Sequence, residues 1–219
     1  MKKTAIILGA TGLTGSYLLK ELLHDDRYDL VKSFGRSTLA LEHPKLAQYI
    51  VDLLNPEEYK ALFFGDEVFC CIGTTRKKTR NKKKYRKIDH GIPVTASKIA
   101  KENGIKTFIV ISALGAKLKS RIFYNRTKGE MERDVLNTGI EKTYILQPSV
   151  ISGKREEKRI GEWIIKQLIS LMKFLLVGPL KKYQSVHPQT IATSMVWLAN
   201  NDYPHPRIEN EKIKEIAGE

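Results

Sequence analysis

Short apolar runs alternate with amphipathic stretches along most of the chain, and this alternation predicts its main elements. The apolar runs indicate six strands, which cover residues 4–8, 30–34, 48–53, 68–72, 106–111 and 142–146. Apolar residues at helical spacing predict helices over residues 13–23 and 94–102 and around Tyr124. Because nearly continuous apolar strands are separated by helices, we expect an α/β fold. Its core is a doubly wound, mostly parallel sheet with helices on both faces.

The pattern changes after Pro148. Two further helices are predicted at about 160–177 and 188–200, followed by an amphipathic tail over residues 208–216. A chain of 219 residues suits one α/β domain and is short for two independent cores, so we expect a single domain over residues 1–219. Residues 148–219 are too few for a core of their own. We expect them to form a small helical lid over the cleft at the carboxyl ends of the strands.

Positive charge is concentrated in one segment of the chain. The net charge is +14, and nine Lys or Arg residues stand between positions 76 and 87, where no acid occurs. Such a run is either a solvated loop or a site for phosphate, an acidic substrate or nucleic acid. Tyr85 is its only aromatic residue, and no zinc spacing accompanies it. We therefore expect no specific nucleic-acid ligand and no metal site.

The two cysteines indicate a reducing compartment. Cys70 and Cys71 are adjacent in a predicted strand, where alternate residues point to opposite faces, so they are poorly placed to form a disulfide. Reduced thiols are typical of a cytoplasmic protein. The most apolar segment, residues 163–177, contains Lys166 and Lys173 and is too short to span a bilayer, so we expect no transmembrane segment.

A glycine-rich turn joins the first predicted strand to the first predicted helix. Gly9 permits the tight reversal, Gly12 lets the backbone approach a pyrophosphate, and Gly15 lets the helix pack close to the strand. Free amides at the helix N-terminus attract phosphate, and threonine hydroxyls add donors. A glycine-rich turn without a ligand is the alternative, but its position between strand and helix favours binding. The expected phosphate-binding residues are Gly9, Thr11, Gly12, Leu13, Thr14 and Gly15.

The end of the second predicted strand indicates which dinucleotide is bound. A carboxylate there holds the ribose 2′-hydroxyl of NAD, whereas an arginine holds the 2′-phosphate of NADP. Residues 30–41 contain no Asp or Glu, and Arg36 and Ser37 supply a guanidinium and a hydroxyl. We therefore expect NADP(H) to be preferred over NAD(H). The alternative is an ordinary surface arginine.

A tyrosine and a lysine four residues apart form a candidate catalytic pair. Tyr124 and Lys128 share one face of the predicted helix, so the ammonium lowers the pKa of the phenol from its usual value of ~10. This makes Tyr124 a candidate general acid or base. Lys128 also reaches the nicotinamide ribose. Ser112, at the end of the fifth predicted strand, is placed to polarise a substrate carbonyl.

In these motifs the chain resembles the atypical, extended-type short-chain dehydrogenases/reductases, which have the Rossmann fold. Within them it is similar to the group that contains the human HIV Tat-interacting protein. The resemblance covers nearly the whole chain. Besides the glycine turn, it includes Phe69-Cys-Cys-Ile-Gly-Thr-Thr-Arg76, Ser112-Ala-Leu-Gly-Ala116, Tyr124-x-x-x-Lys128-Gly-Glu130, Gly161-Glu-Trp163 and Ser185-Val-His-Pro188. One departure is Gln147-Pro148, where relatives commonly have Arg-Pro.

The resemblance implies further cofactor contacts and the catalytic roles. Ser112, Tyr124 and Lys128 take the catalytic positions, and the last two also contact the cofactor. The adenine edge meets Asp52 and Leu53. The ribose and nicotinamide side is lined by Cys71, Ile72, Gly73 and Thr74, and the nicotinamide is flanked by Pro148 and Val150.

The combined motifs predict an NADPH-dependent oxidoreductase that transfers hydride to a small carbonyl or quinone-like substrate, with Tyr124 as proton donor. The basic run leaves open that this substrate is anionic. A second class stays open: an NADPH-sensing scaffold that binds a protein partner with little catalysis. A sugar-nucleotide epimerase is disfavoured, because the part after Pro148 is small for a nucleotide-sugar domain. The sequence leaves monomer and homodimer as alternatives.

Overall fold

The structure, a computed structural model, describes residues 2–75, 79–152 and 183–219. Seven strands form one sheet in the order β3-β2-β1-β4-β5-β6-β7, and every neighbouring pair is parallel. This confirms the predicted doubly wound parallel fold. The strands are β1 Lys3–Leu8, β2 Tyr28–Gly35, β3 Leu46–Ile50, β4 Glu67–Cys70, β5 Thr107–Ile111, β6 Lys142–Gln147 and β7 Arg207–Glu209.

Two strands differ from the sequence prediction. β3 covers residues 46–50 instead of 48–53, because the chain leaves the sheet at Asp52, whose carbonyl accepts the Asn55 amide in a turn. β7 was not predicted, and the expected amphipathic tail is divided between this strand and a helix. Ile208 lies beside Leu146 in the register and is fully buried, so a three-residue strand with one apolar side chain completes the sheet.

Six α-helices lie in the described part of the chain. They are α1 Leu13–His24, α2 Lys82–Arg86, α3 Ile92–Glu102, α4 Phe123–Leu136, α5 Pro188–Asn200 and α6 Asn210–Ile216. Short 3₁₀ turns cover Pro56–Glu58 and Lys60–Leu62. A π-helical turn, Lys87–Gly91, joins α2 to α3. Pi-turns of this kind occur often at functional sites.

The sheet separates two hydrophobic cores, and successive residues of β1 pack alternately into one core and the other. Ala5 and Ile7 belong to the core formed with α1, α5 and α6, while Ile6 and Leu8 belong to the core formed with α3 and α4. Each core buries one face of every central strand, which is the reason these strands are apolar over most of their length. Cys70 and Cys71 pack into different cores, as the alternation predicted.

Part of the predicted lid lies outside the described residues. This applies to the predicted helix at 160–177 with its Gly161-Glu-Trp163 motif, and to residues 76–78 of the basic run. The helix predicted at 188–200 is present as α5 and packs against α1. Of the helices in the ranges described, none has the length and apolar character needed to cross a bilayer. The lid over residues 148–219 stays a prediction.

Candidate functional site

A cleft of about 740 Å³ opens at the carboxyl ends of β1, β4, β5 and β6. The strand order reverses between β1 and β4, and doubly wound sheets bind ligands at such a crevice. Six segments form its walls: the glycine turn, the loop after β4, α2 with the following π-helical turn, the end of β5, the start of α4, and the residues after β6. From the predicted set these contribute Gly12, Leu13, Thr14, Cys71, Ile72, Gly73, Thr74, Ser112, Tyr124, Lys128, Pro148 and Val150.

The glycine turn is packed too tightly for side chains at two positions. Gly9 has a φ of +87°, and a Cβ there would lie 3.0 Å from the carbonyl oxygen of Cys71. A Cβ on Gly15 would lie 2.1 Å from the carbonyl oxygen of Gly9. The Ser16 amide donates to the Gly12 carbonyl at 2.9 Å and so closes the first turn of α1. The preceding amides lie at the N-terminus of α1, on the side of the cleft.

Seven predicted cofactor residues do not line the cleft, and four of them lie beyond the neighbouring strands. Leu8 of β1 pairs in register with Phe34, so Arg36 and Ser37 follow β2 at the same edge of the sheet as the glycine turn. Both are exposed. Asp52 and Leu53 follow β3: Asp52 accepts the Leu54 amide at 3.0 Å, and Leu53 is buried in the core. Thr11 is exposed in the glycine turn, while Gly9 and Gly15 lie beneath it.

Ser112 lies directly after β5, and its hydroxyl is already engaged. It is 4% exposed and donates a hydrogen bond to Glu132 Oε1. The same carboxylate accepts Gln147 Nε2 at 2.8 Å and Arg207 Nε at 2.9 Å. The Ser112 proton is thus directed at Glu132, and the predicted contact of Ser112 with a substrate carbonyl stays a prediction.

Sequence reasoning missed Glu132, although a signal for it was present. Tyr124, Lys128 and Glu132 are spaced four residues apart, so they share one face of α4. Glu132 is 2% exposed, and an acid on a face that carries two site residues is expected to have partners there. The network also explains Gln147, whose side-chain amide bonds to this carboxylate.

Lys128 is buried beneath the cleft floor as half of an ion pair. Its side chain is 4% exposed, its Nζ lies 3.4 Å from Asp89 Oδ1, and it donates to the Ile111 carbonyl at 3.3 Å. Burial acts to lower the pKa of Lys128, but the Asp89 carboxylate and the nearby Tyr124 phenol outweigh it, and the pKa is raised. Lys128 therefore remains an ammonium at neutral pH, with Tyr124 40% exposed on the same helix face.

Asp89 and Tyr85 are functional candidates that the sequence analysis did not select. Asp89 lies in the π-helical turn, and its Oδ2 accepts the Thr74 amide at 2.8 Å. Its Oδ1 has no hydrogen bond within the described residues and faces Lys128. Tyr85 donates to the Thr74 carbonyl at 3.2 Å, and burial, then Asp89, raises its pKa, so it stays protonated. The available signal was that Asp89 is the first acid after the basic run.

Comparisons with known proteins identify the family of the chain. A family profile described as NAD(P)H-binding matches residues 9–162, from the glycine turn through β6. Protein HTATIP2 of Rattus norvegicus is 34% identical over 169 residues, covering 75% of this chain and 69% of the rat protein. The mitochondrial protein FMP52 of Eremothecium gossypii is 34% identical over 164 residues, covering 72% of this chain and 70% of its own length.

Solved structures share the fold at low sequence identity. The Bordetella bronchiseptica enzyme WbmH, in complex with NAD+, superposes with a TM-score of 0.71 at 16% identity, covering 95% of this chain and 75% of WbmH. Vestitone reductase from alfalfa has a TM-score of 0.63 at 21% identity, covering 94% of this chain and 76% of the reductase. These likenesses show that the chain shares the fold of these two enzymes.

Proposed function

The chain belongs to the NAD(P)H-binding family, and we propose that it is an NADPH-dependent oxidoreductase of the short-chain dehydrogenase/reductase type, which reduces a small carbonyl or quinone-like substrate. One observation carries the proposal. Tyr124 and the buried ammonium of Lys128 line the same cleft as the glycine turn, so a proton donor and a phosphate-binding helix end converge on one cavity.

The residues present fit a dinucleotide. Gly12, Leu13 and Thr14 present backbone to the cleft at the start of α1, and the packing of Gly15 on Gly9 holds that helix against β1. A Cβ on Gly73 would lie 3.7 Å from Asp89 Oδ1 and 4.0 Å from Lys128 Nζ, so the loop after β4 passes directly beside this ion pair. The remaining contacts are proposed at Thr11, Asp52, Leu53, Cys71, Ile72, Thr74, Pro148 and Val150.

Each catalytic residue has a distinct part in this proposal. A bound dihydronicotinamide supplies the hydride. Tyr124 donates a proton to the substrate oxygen, and the Lys128 ammonium stabilises the phenolate that remains. Asp89 keeps Lys128 charged and oriented. Ser112, whose hydroxyl is held by Glu132, lines the substrate side of the cleft.

The preference for NADP(H) is proposed from the end of β2. Arg36 and Ser37 are exposed there, at the same edge of the sheet as the glycine turn. No carboxylate occurs from residue 30 to residue 41. Arg36→Ala is expected to weaken NADPH binding ~10-fold, since it removes a charge-assisted pair with phosphate, and to leave NADH binding nearly unchanged. Calorimetric titration with both nucleotides measures this, and equal losses for both would refute the assignment.

The catalytic proposal is tested by removing the phenol. Tyr124→Phe is expected to lower kcat/KM for aldehyde or quinone reduction ~100-fold or more, with NADPH affinity within ~2-fold of the wild type. Tyr49→Phe is the matched control, because Tyr49 stacks on Phe34 at 4.7 Å, away from the cleft. Unchanged turnover in Tyr124→Phe would remove this residue from the mechanism.

A scaffold that binds NADPH and a protein partner is the second candidate. The observation that favours it is the hydrogen bond from Ser112 to Glu132, which directs the serine proton away from a substrate. Cofactor-dependent capture of a partner, together with no turnover of any carbonyl or quinone, would support it. The cytoplasmic location and the oligomeric state stay predictions, and the name of the fungal relative places that protein in mitochondria.

A further inference from the structure

One lysine of the basic run faces the cleft, while its neighbours do not. Lys82, at the first position of α2, lines the cavity, whereas Lys83 and Lys84 on the same short helix do not; all three lysines are exposed. The start of this helix is fixed by Asn81, whose side chain accepts the Lys84 amide at 3.0 Å. The orientation of Lys82 therefore follows from a capped helix rather than from an irregular loop.

Lys82 stands beside an aromatic wall next to the proposed proton donor. Its Nζ lies 5.7 Å from the centroid of the Phe123 ring, and that ring packs edge-on against Tyr85 with centroids 5.7 Å apart. Tyr124 directly follows Phe123 in α4. Two apolar side chains in the same cleft, Ile122 and Val150, are 62% and 57% exposed. This part of the cleft thus combines apolar surface with one cation.

The two lysines of the cleft differ in their partners. Asp89 is the one acid among the described residues that line the cleft, and it is paired with Lys128. Arg86, farther along α2, is paired with Glu130. No carboxylate in the described ranges pairs with Lys82, so its charge is available to a ligand.

We propose that this cleft selects aromatic carbonyl or quinone substrates that carry an anionic group, with Lys82 pairing to the anion and the ring lying against Phe123. This inference rests on the proposed reductase function. Ion pairing supplies the selectivity for charge, and the apolar wall with Tyr85 and Ile122 supplies the affinity for a ring. The proposal also assigns a role to one residue of the basic run: among its described cations, only Lys82 contacts the substrate.

A pair of near-isosteric probes isolates the charge. Dissociation constants of 4-formylbenzoate and 4-formylbenzamide are measured by titration calorimetry, with the protein saturated with NADP+ so that no reduction occurs. The proteins are wild type, Lys82→Ala and Lys83→Ala, which remove the same charge from adjacent positions. The quantity compared is the ratio of the amide constant to the carboxylate constant.

We expect this ratio to fall about fivefold in Lys82→Ala, corresponding to ~1 kcal/mol for a partly exposed ion pair, and to stay unchanged in Lys83→Ala. Equal ratios in all three proteins, equal falls in both variants, or no measurable binding of 4-formylbenzoate to the wild type would overturn the inference.

Reduction of the two aldehydes with NADPH is followed separately. If neither is reduced while binding keeps its dependence on Lys82, the reductase function fails and the anion site stands. If both aldehydes are reduced but the ratio of dissociation constants is the same in wild type and Lys82→Ala, the anion site alone is refuted. Melting temperatures of the variants show whether either substitution disturbs the fold.

Discussion

Replacing Asp89 by Asn tests the ion pair on which the proposed site is built. The substitution keeps the shape of the side chain and an oxygen that can accept the Thr74 amide, but it removes the negative charge facing Lys128. Both side chains are almost completely buried, with 1% and 4% exposed. Removing one member of a buried ion pair leaves an uncompensated charge, which costs ~3–5 kcal/mol of unfolding free energy.

The sign of the pH dependence follows from the direction of the Lys128 shift. In the wild type the folded-state pKa of Lys128 is raised above the ordinary value of 10.5, so the stability it contributes is fully present from pH 7 to pH 10. In Asp89→Asn the carboxylate no longer opposes burial, which is the largest single cause acting on Lys128, so we expect this pKa to fall. The deficit of the variant in unfolding free energy, relative to the wild type, is then largest at low pH. It shrinks by up to ~1.4 kcal/mol per pH unit as Lys128 loses its proton.

Urea unfolding at pH 7 and at pH 9.5 measures both effects. We expect a deficit of at least ~3 kcal/mol at the lower pH and a smaller one at the higher pH. Asp134→Asn is the control, because Asp134 pairs with His90 and Arg133 near the surface, where a pair contributes ~0–1 kcal/mol. A deficit below ~1 kcal/mol, or one that is constant between the two pH values, would refute the reasoning.

Two further substitutions have matched controls. Gly15→Ala places a Cβ 2.1 Å from the Gly9 carbonyl oxygen, so we expect the free energy of unfolding to fall by at least ~2 kcal/mol and NADPH to cause no rise of Tm. In Gly35→Ala the new Cβ has no atom within 4 Å, so we expect wild-type stability and a wild-type rise of Tm with NADPH. Thermal melts measure both quantities. Glu132→Gln removes a buried carboxylate that accepts three hydrogen bonds, and we expect chemical unfolding to show a loss of ~2–3 kcal/mol. Glu130→Gln is the control, because Glu130 lies two residues away in α4 and forms a more exposed ion pair with Arg86. It should lower the free energy of unfolding by less than ~1 kcal/mol. Equal losses in the two variants would argue against the network.

The fold was predictable from the sequence because burial on both faces leaves a strong pattern in central strands. β1, β4 and β5 are apolar at successive positions, and the glycine turn identifies where the chain first reverses. β7 carries one apolar side chain between two charged ones, so its place in the sheet depends on pairing with β6 rather than on its own pattern.

The candidate site was predictable only where spacing along the chain reports proximity in space. Tyr124 and Lys128 share a helix face, so four residues of separation suffice to bring them together. Asp89 reaches Lys128 from a π-helical turn distant in sequence, and Arg207 reaches Glu132 across 75 positions. Such contacts depend on how separate elements pack, which local spacing does not encode.

The contact between Arg207 and Glu132 also bears on the order in which parts of the structure can form during synthesis. The glycine turn and the strands beside it leave the ribosome early, so the dinucleotide half of the molecule can assemble while translation continues. Arg207, the third donor to Glu132, joins this network only after β7 has emerged. A nascent chain therefore completes the strands around the glycine turn before Glu132 has all three of its hydrogen-bond donors.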